Sequence, residues 1–167
     1  HGHGDHNNIA AVKGNPQAIK GAVSTTIKGI AIKGISAYHD DVEGKKSGSN
    51  TIFCFTVDGM KVCHLGDLGH KLTDAQLAEI GEVDVLLTPM AGNYTIDAAT
   101  ATELMNKVRA KVAIPMHYRN PLCDYPVATV DEFIKGKNNV ASLDACEVEF
   151  KKGQLPDNQI MVLKPAP

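Results

Sequence analysis

The first six residues of the chain, HGHGDH, combine imidazole and carboxylate side chains with two glycines. Glycine permits the tight backbone angles that bring neighbouring ligands together. Neutral imidazole nitrogens and carboxylate oxygens suit zinc, manganese, iron or nickel. A purification tag is the alternative, but tags are usually unbroken runs of histidine. Here the segment leads directly into the apolar residues from Ile9 onward. We therefore predict a metal-binding loop. Its candidate ligands are His1, His3, Asp5 and His6.

Three further candidate ligands occur later in the chain, each where an inferred strand gives way to a loop: His39, Asp67 and His117. Strand ends in a layered α/β fold converge on one edge of the sheet, so these side chains are expected to meet. Taken singly, each has an ordinary explanation as a turn former or a structural histidine.

The pattern His-x-His-x-Asp-His resembles the signature of the metallo-β-lactamase superfamily of metal-dependent hydrolases. The strings around His39 (AYHD), Asp67 (HLGD) and His117 (IPMHY) are similar to the branch near the ascorbate-phosphate lactonases. This resemblance implies an α/β fold, an αββα sandwich, with two divalent metal ions, most typically zinc, with manganese, iron or nickel as alternatives. It implies a first metal on His1, His3 and His39. It implies a second metal on Asp5, His6 and His117.

The resemblance also implies that Asp67 bridges the two metals and that Asp5 and Asp67 are the catalytic carboxylates. Hydrolysis would then use a metal-bound hydroxide, formed because metal coordination lowers the pKa of water to near neutrality. We expect a small, anionic lactone or ester as the substrate. Residues that follow the site strands are candidates for contacting it: His70, Tyr94, Tyr118 and Arg119. A guanidinium such as that of Arg119 favours an anionic group.

Two other functions remain open at this stage. A phosphodiesterase or nuclease shares the same chemistry, but the net charge of −2 provides no basic field for a long nucleic acid. A non-catalytic nickel or copper chelate is possible at His1-Gly2-His3, since an α-amine, backbone amides and an imidazole form a square-planar set.

Composition indicates a single globular domain covering residues 1–167, with 43% hydrophobic and 22% charged residues, which is typical of folded proteins. No apolar stretch approaches the ~20 residues of a membrane span, so no membrane partner is expected. The four cysteines form no Cys-x-x-Cys unit, and a reducing, cytoplasmic setting is the default expectation.

Local signals predict the elements that position these ligands. Asp58-Gly59 predicts a two-residue hairpin that places Cys54 opposite Cys63. Capping-box patterns at Thr73 and Thr129 predict helix starts. Residues 6–13 are predicted to form a short helix closed by Gly14.

Members of the resembled family carry strands before this motif, so we expect that the N-terminal part of the first sheet is missing from this chain. The vacancy would be filled by a docked N-terminal fragment of the same protein or by a second copy in a homo-oligomer, because unpaired strand edges and apolar faces are unfavourable in water.

Overall fold

The structure is a computed structural model that describes residues 1–4, 6–14 and 16–166. Its strands are β1 (Val23–Ile27), β2 (Ile30–Tyr38), β3 (Ser49–Val57), β4 (Met60–His64), β5 (Val85–Pro89), β6 (Val112–Met116), β7 (Val140–Ser142) and β8 (Gln159–Val162). Its α-helices are α1 (Asp74–Ile80), α2 (Ala98–Lys107) and α3 (Val130–Ile134).

The described strands form one eight-stranded sheet in the order β1-β2-β3-β4-β5-β6-β8-β7. The first four are antiparallel neighbours, and β4, β5, β6, β8 and β7 run parallel to their neighbours. The hairpin prediction is confirmed. Asp58 and Gly59 both have positive φ, and Cys54 pairs with Cys63 as free thiols whose sulfurs lie 3.3 Å apart. The α/β class predicted from the sequence is confirmed.

All three helices cover the same face of the sheet. That face presents Ile52 and Leu86, which belong to one buried cluster with Ile80 of α1, Leu104 of α2 and Phe133 of α3. Each of these side chains is at most 4% exposed, so the apolar core lies between this face and the helices.

The opposite face, here called the open face, is also apolar, and most of its apolar side chains are only half-buried. Alternation of side chains along a strand and the pairing of β3 with its neighbours assign residues to it. Its half-buried members are Ile30, Ile32, Phe53, Phe55, Val57, Val62, Leu87, Ile114 and Met116, whereas Met60, Val85 and Val112 on the same face are buried. The apolar alternation of the hairpin sequence predicts that the Phe53 and Phe55 side faces the core. In the described chain it is the other side that the helices bury, because alternating residues on both sides are apolar and the helices occupy only one.

Helix starts follow the sequence signals unevenly. Thr73 and Gln76 form the predicted reciprocal capping box, and α1 ends at Gly81, whose φ is 64°. At α3 the predicted box does not form, because the Thr129 hydroxyl donates to the Asp131 carboxylate 3.1 Å away instead of capping the backbone. The predicted helix over residues 6–13 is reduced to one 3-10 turn, Ile9–Ala11, with no buried residue to stabilise a longer one. None of the described helices is long and apolar enough to cross a membrane.

Candidate metal centre

The carboxylate of Asp67 lies at the centre of the site. It follows β4 on a buried loop and is 5% exposed. Its Oδ2 atom is 2.8 Å from His1 Nε2, 3.6 Å from His6 Nε2, 3.6 Å from His39 Nε2 and 3.8 Å from His117 Nε2. Four imidazoles from three parts of the chain, the N-terminal segment and the ends of β2 and β6, therefore point one nitrogen at a single oxygen.

The N-terminal histidines pack against one another and against His39. The ring centroid of His1 is 4.5 Å from that of His3, 4.3 Å from that of His6 and 4.6 Å from that of His39. The candidate ligand atoms form two groups, and within each group all atoms lie within 4.8 Å of one another. His1, His3 and His39 form one group, and His1, His6 and Asp67 form the other.

These separations fit a bound divalent metal. With metal–ligand bonds of about 2.1 Å, the ligand atoms of a tetrahedral zinc lie about 3.4 Å apart. The measured separations from Asp67 Oδ2 bracket that value. Imidazoles that converge in this way bring lone pairs together, which favours a cation between them. The donor set therefore fits zinc or a similar first-row metal.

His39 and His117 enter the site from the ends of β2 and β6. The Nδ1 atom of each is buried without a hydrogen-bond partner among the described residues. Burial lowers the pKa of His39, and the opposing pull of the Asp67 charge does not reverse that shift. A neutral imidazole is the form that ligates a metal. His117 also has a φ of 57°, an uncommon conformation for a bulky residue and one that occurs at functional sites.

Asn50 and two glycines fix the loop that carries Asp67. The buried Asn50 side chain donates to Leu65 O at 2.8 Å and accepts from the Asp67 N–H at 3.2 Å. At Gly66, with φ of 59°, an added Cβ would collide with Asn50 Oδ1. At Gly69 it would collide with the carbonyl group of His39. The glycines thus allow the Asp67 loop to approach both Asn50 and the His39 backbone closely.

The loop after β2 is organised by Asp40, which is 8% exposed. Its two carboxylate oxygens accept four backbone N–H groups of the next seven residues, at 2.7 to 3.0 Å. Burial would raise the pKa of Asp40, but these four donors together hold it below its ordinary value. The loop that begins at His39 is therefore folded around a charged carboxylate.

The metal-ligand cluster forms one wall of a cavity of about 490 Å³. This volume lies in the range of small-molecule sites. Beyond the histidines and Asp67, the cavity is lined by Lys46, Ser47, Tyr94, Tyr118, Cys123, Tyr125 and Val127.

The structure brings together six of the seven metal ligands predicted from the sequence. The seventh, Asp5, lies outside the described residues. Of the predicted substrate contacts, Tyr94 and Tyr118 line the cavity, and the Tyr118 hydroxyl donates to Leu163 O at 3.2 Å.

Arg119 and His70 are not brought to the cavity. The Arg119 backbone N–H donates to Ala128 O at 3.0 Å, and its exposed side chain lines depressions on other surfaces. His70 packs its ring against Tyr38 at 5.6 Å, and its Nδ1 lies 2.8 Å from Lys71 O. Each follows a site residue closely, and at Arg119 the positive φ of His117 and the pairing with Ala128 turn the chain away from the cavity.

Sequence reasoning missed five cavity residues, Lys46, Ser47, Cys123, Tyr125 and Val127. The signal at the first two was the position of a lysine and a serine soon after the ligand His39, within a segment that its composition assigns to a loop. Tyr125 carried no such signal, since it lies in a stretch without regular structure.

The chain is similar in sequence to several known proteins. Residues 1–117 match the family described as Beta-lactamase superfamily domain. A UPF0173 metal-dependent hydrolase of Archaeoglobus fulgidus is 32% identical over 132 residues, which is 75% of this chain and 55% of that protein. One of Carboxydothermus hydrogenoformans is 40% identical over 79 residues, covering 47% of this chain and 33% of that protein. The chain thus spans about a third to about half of these curated relatives.

A solved structure from Thermotoga maritima, assigned as a Zn-dependent hydrolase of the metallo-β-lactamase superfamily, is 39% identical with a TM-score of 0.82. The match covers 95% of this chain and 77% of that one.

Proposed function

The chain belongs to the metallo-β-lactamase superfamily, and from that membership and the geometry of its site we propose that it is a metal-dependent hydrolase of a small, anionic lactone or ester. The single observation that carries the proposal is the convergence of His1, His6, His39 and His117 on Asp67 Oδ2 at 2.8 to 3.8 Å.

We propose two divalent ions, with zinc first and manganese, iron or nickel as alternatives. His1, His3 and His39 would hold one ion. His6 and His117 would hold the second, together with Asp5, and Asp67 would lie between the two. The ligand atoms form two close groups that share His1, one with His3 and His39 and the other with His6 and Asp67, which supports placing His3 and His39 apart from His6.

Bound divalent metals supply Lewis-acid stabilisation of developing negative charge and make water available as hydroxide near neutral pH. The chain's own residues position the reactants. Asp67 is buried and can accept a hydrogen bond from the attacking water, which orients it. In the reaction, the acyl–oxygen bond breaks, the water oxygen joins the carbonyl carbon, and a water proton reaches the departing alkoxide. The half-closed cavity holds the substrate carbonyl beside this centre.

Two observations weigh on the rival functions. The cavity of about 490 Å³ suits a small molecule better than a nucleic acid chain. The His1 side chain is 2% exposed and lies 2.8 Å from Asp67, so it is engaged with a residue distant in sequence. That engagement favours the multi-element metal centre over a local nickel or copper chelate at the N-terminus.

The test is metal-dependent turnover. The protein is stripped with a chelator, reloaded with zinc or manganese, and assayed by proton release with γ-carboxy-γ-butyrolactone and by absorbance with bis(p-nitrophenyl) phosphate. We expect the lactone to be hydrolysed only by the reloaded protein and His39→Ala to lose the activity. Cleavage of the phosphodiester in preference to the lactone would favour the rival hydrolase, and turnover that survives both chelation and His39→Ala would contradict the proposal.

A further inference from the structure

In the described part of the chain, the cavity beside the candidate metal centre is lined by one basic side chain besides its histidines. Among the described residues that line it, Lys46 is the one lysine or arginine. It lies on the loop between β2 and β3, which also begins with the candidate ligand His39. The wall of the cavity near this loop therefore carries a positive charge that the metal ligands do not account for.

The Lys46 ammonium is available for a ligand. Within residues 1–4, 6–14 and 16–166, no carboxylate forms an ion pair with it. Its neighbour Lys45 differs in both respects: it pairs with Glu43 at 3.7 Å and does not line the cavity. Two adjacent lysines of one loop thus have different surroundings, and the one facing the cavity is the unpaired one.

The loop holds Lys46 in a defined position. The Lys46 N–H donates to Asp40 Oδ2 at 2.9 Å, and the Ser47 N–H donates to the same oxygen at 2.7 Å. The His39 N–H donates to Gly48 O at 3.0 Å, which closes the loop on itself. Because Asp40 directly follows His39, one carboxylate anchors both the lysine backbone and the strand end that presents the metal ligand.

Aromatic rings also line the cavity. Tyr94 and Tyr125 are 50% and 58% exposed, so their rings are accessible to a ligand entering from solvent. An ammonium and accessible tyrosines suit a ligand that joins an anionic group to an apolar body, since the tyrosine rings provide apolar contact and the hydroxyls provide hydrogen bonds.

We propose that Lys46 is the specificity-determining residue of this site, binding a carboxylate or similar anionic group of the substrate while the scissile carbonyl lies at the metal centre. This inference rests on the hydrolase function proposed above and assigns to Lys46 the role that sequence reasoning gave to Arg119.

The test compares two lactones that differ by one carboxylate, γ-carboxy-γ-butyrolactone and γ-butyrolactone, with the zinc-loaded protein. Lys46→Met removes the charge and retains an unbranched side chain, and Lys45→Met is the matched control. An exposed ion pair is worth at most about 1 kcal/mol, or about fivefold. We expect Lys46→Met to reduce the kcat/KM ratio of charged to neutral lactone by about fivefold, mainly through KM for the charged lactone. Lys45→Met should leave that ratio unchanged, and Lys46→Arg should retain most of it.

A ratio that is unchanged in Lys46→Met, or that falls equally in Lys45→Met, would overturn the inference. If the wild-type protein hydrolyses neither lactone, the proposed hydrolysis of lactones fails, and binding of glutarate measured by calorimetry decides the role of Lys46 separately. In that measurement the inference requires weaker binding in Lys46→Met than in Lys45→Met, and equal dissociation constants would refute it.

Discussion

Asn50 supports the loop that carries Asp67, and replacing it with alanine tests how far the metal centre depends on that support. The side chain is 2% exposed and makes two hydrogen bonds, to Leu65 O at 2.8 Å and from the Asp67 N–H at 3.2 Å. Asn50→Ala removes both hydrogen bonds and leaves the Leu65 carbonyl and the Asp67 N–H without a partner at a buried site. Each unpaired group costs about 1–3 kcal/mol. Because the bond from the Asp67 N–H is long, we expect the free energy of unfolding to fall by roughly 2–4 kcal/mol, the lower part of the range for two such groups.

The same substitution should weaken metal binding. Residues that orient a metal ligand typically contribute roughly 10- to 100-fold in affinity, which is the range expected here for zinc. The assays are urea unfolding of the metal-free protein and zinc affinity by competition with a chelating dye. Asn106→Ala is the control, because Asn106 is exposed on α2. Its replacement should change stability by no more than about 0.5 kcal/mol, as is usual for surface substitutions. Equal unfolding free energies in the two variants would refute the reasoning about stability. Wild-type zinc affinity in Asn50→Ala would refute the positioning of Asp67.

Three further predictions concern the centre, its support and the open face. Asp67→Asn should cost far more activity and zinc affinity than His70→Ala, because Asp67 lies among the imidazoles whereas His70 packs outside the cavity. Equal losses in an assay of the metal-reconstituted variants would contradict this placement. Asp84 accepts from the Lys61 N–H and from the Lys111 ammonium, and although burial would raise its pKa, these donors hold the pKa below the ordinary value. The wild type should therefore exceed Asp84→Asn in free energy of unfolding by about 1 kcal/mol at pH 7. This advantage is present above the pKa of the unfolded state, near 4, and is lost as the pH falls through the lowered pKa of the folded state. Urea midpoints that differ equally at pH 7 and pH 2 would contradict the prediction. A polypeptide of residues 1–167 should self-associate through the open face, and Phe55→Lys should reduce that association; light scattering that finds a wild-type monomer would show that the face needs no cover.

The sequence was most informative where a local pattern decides a local structure. The hairpin at Asp58-Gly59 follows from the need for positive φ at two successive residues. The start of α1 follows from reciprocal hydrogen bonds that Thr73 and Gln76 make within four residues. The convergence of His39, Asp67 and His117 was predictable for a similar reason, because each lies at a strand end and the sheet gathers those ends at one edge.

The contents of the cavity were less predictable, because they depend on loops whose course is set by distant contacts. Arg119 was the expected anion site since it closely follows His117, but the positive φ of His117 and the pairing of Arg119 with Ala128 turn the chain away. Lys46 follows His39 within a loop-like segment, but its place in the cavity depends on a loop that folds as Asp40 gathers four backbone N–H groups. The orientation of the sheet was ambiguous as well, because both faces of β3 are apolar and the choice depends on where the helices pack.

We propose above that the histidines around Asp67 hold divalent metal ions. Anomalous diffraction at the zinc absorption edge, from crystals of the zinc-loaded protein, tests it most directly. We expect anomalous peaks bounded by His1, His3 and His39 on one side of Asp67 and by His6 and His117 on the other. Zinc bound elsewhere, with the imidazoles around Asp67 left metal-free at saturating zinc, would contradict it.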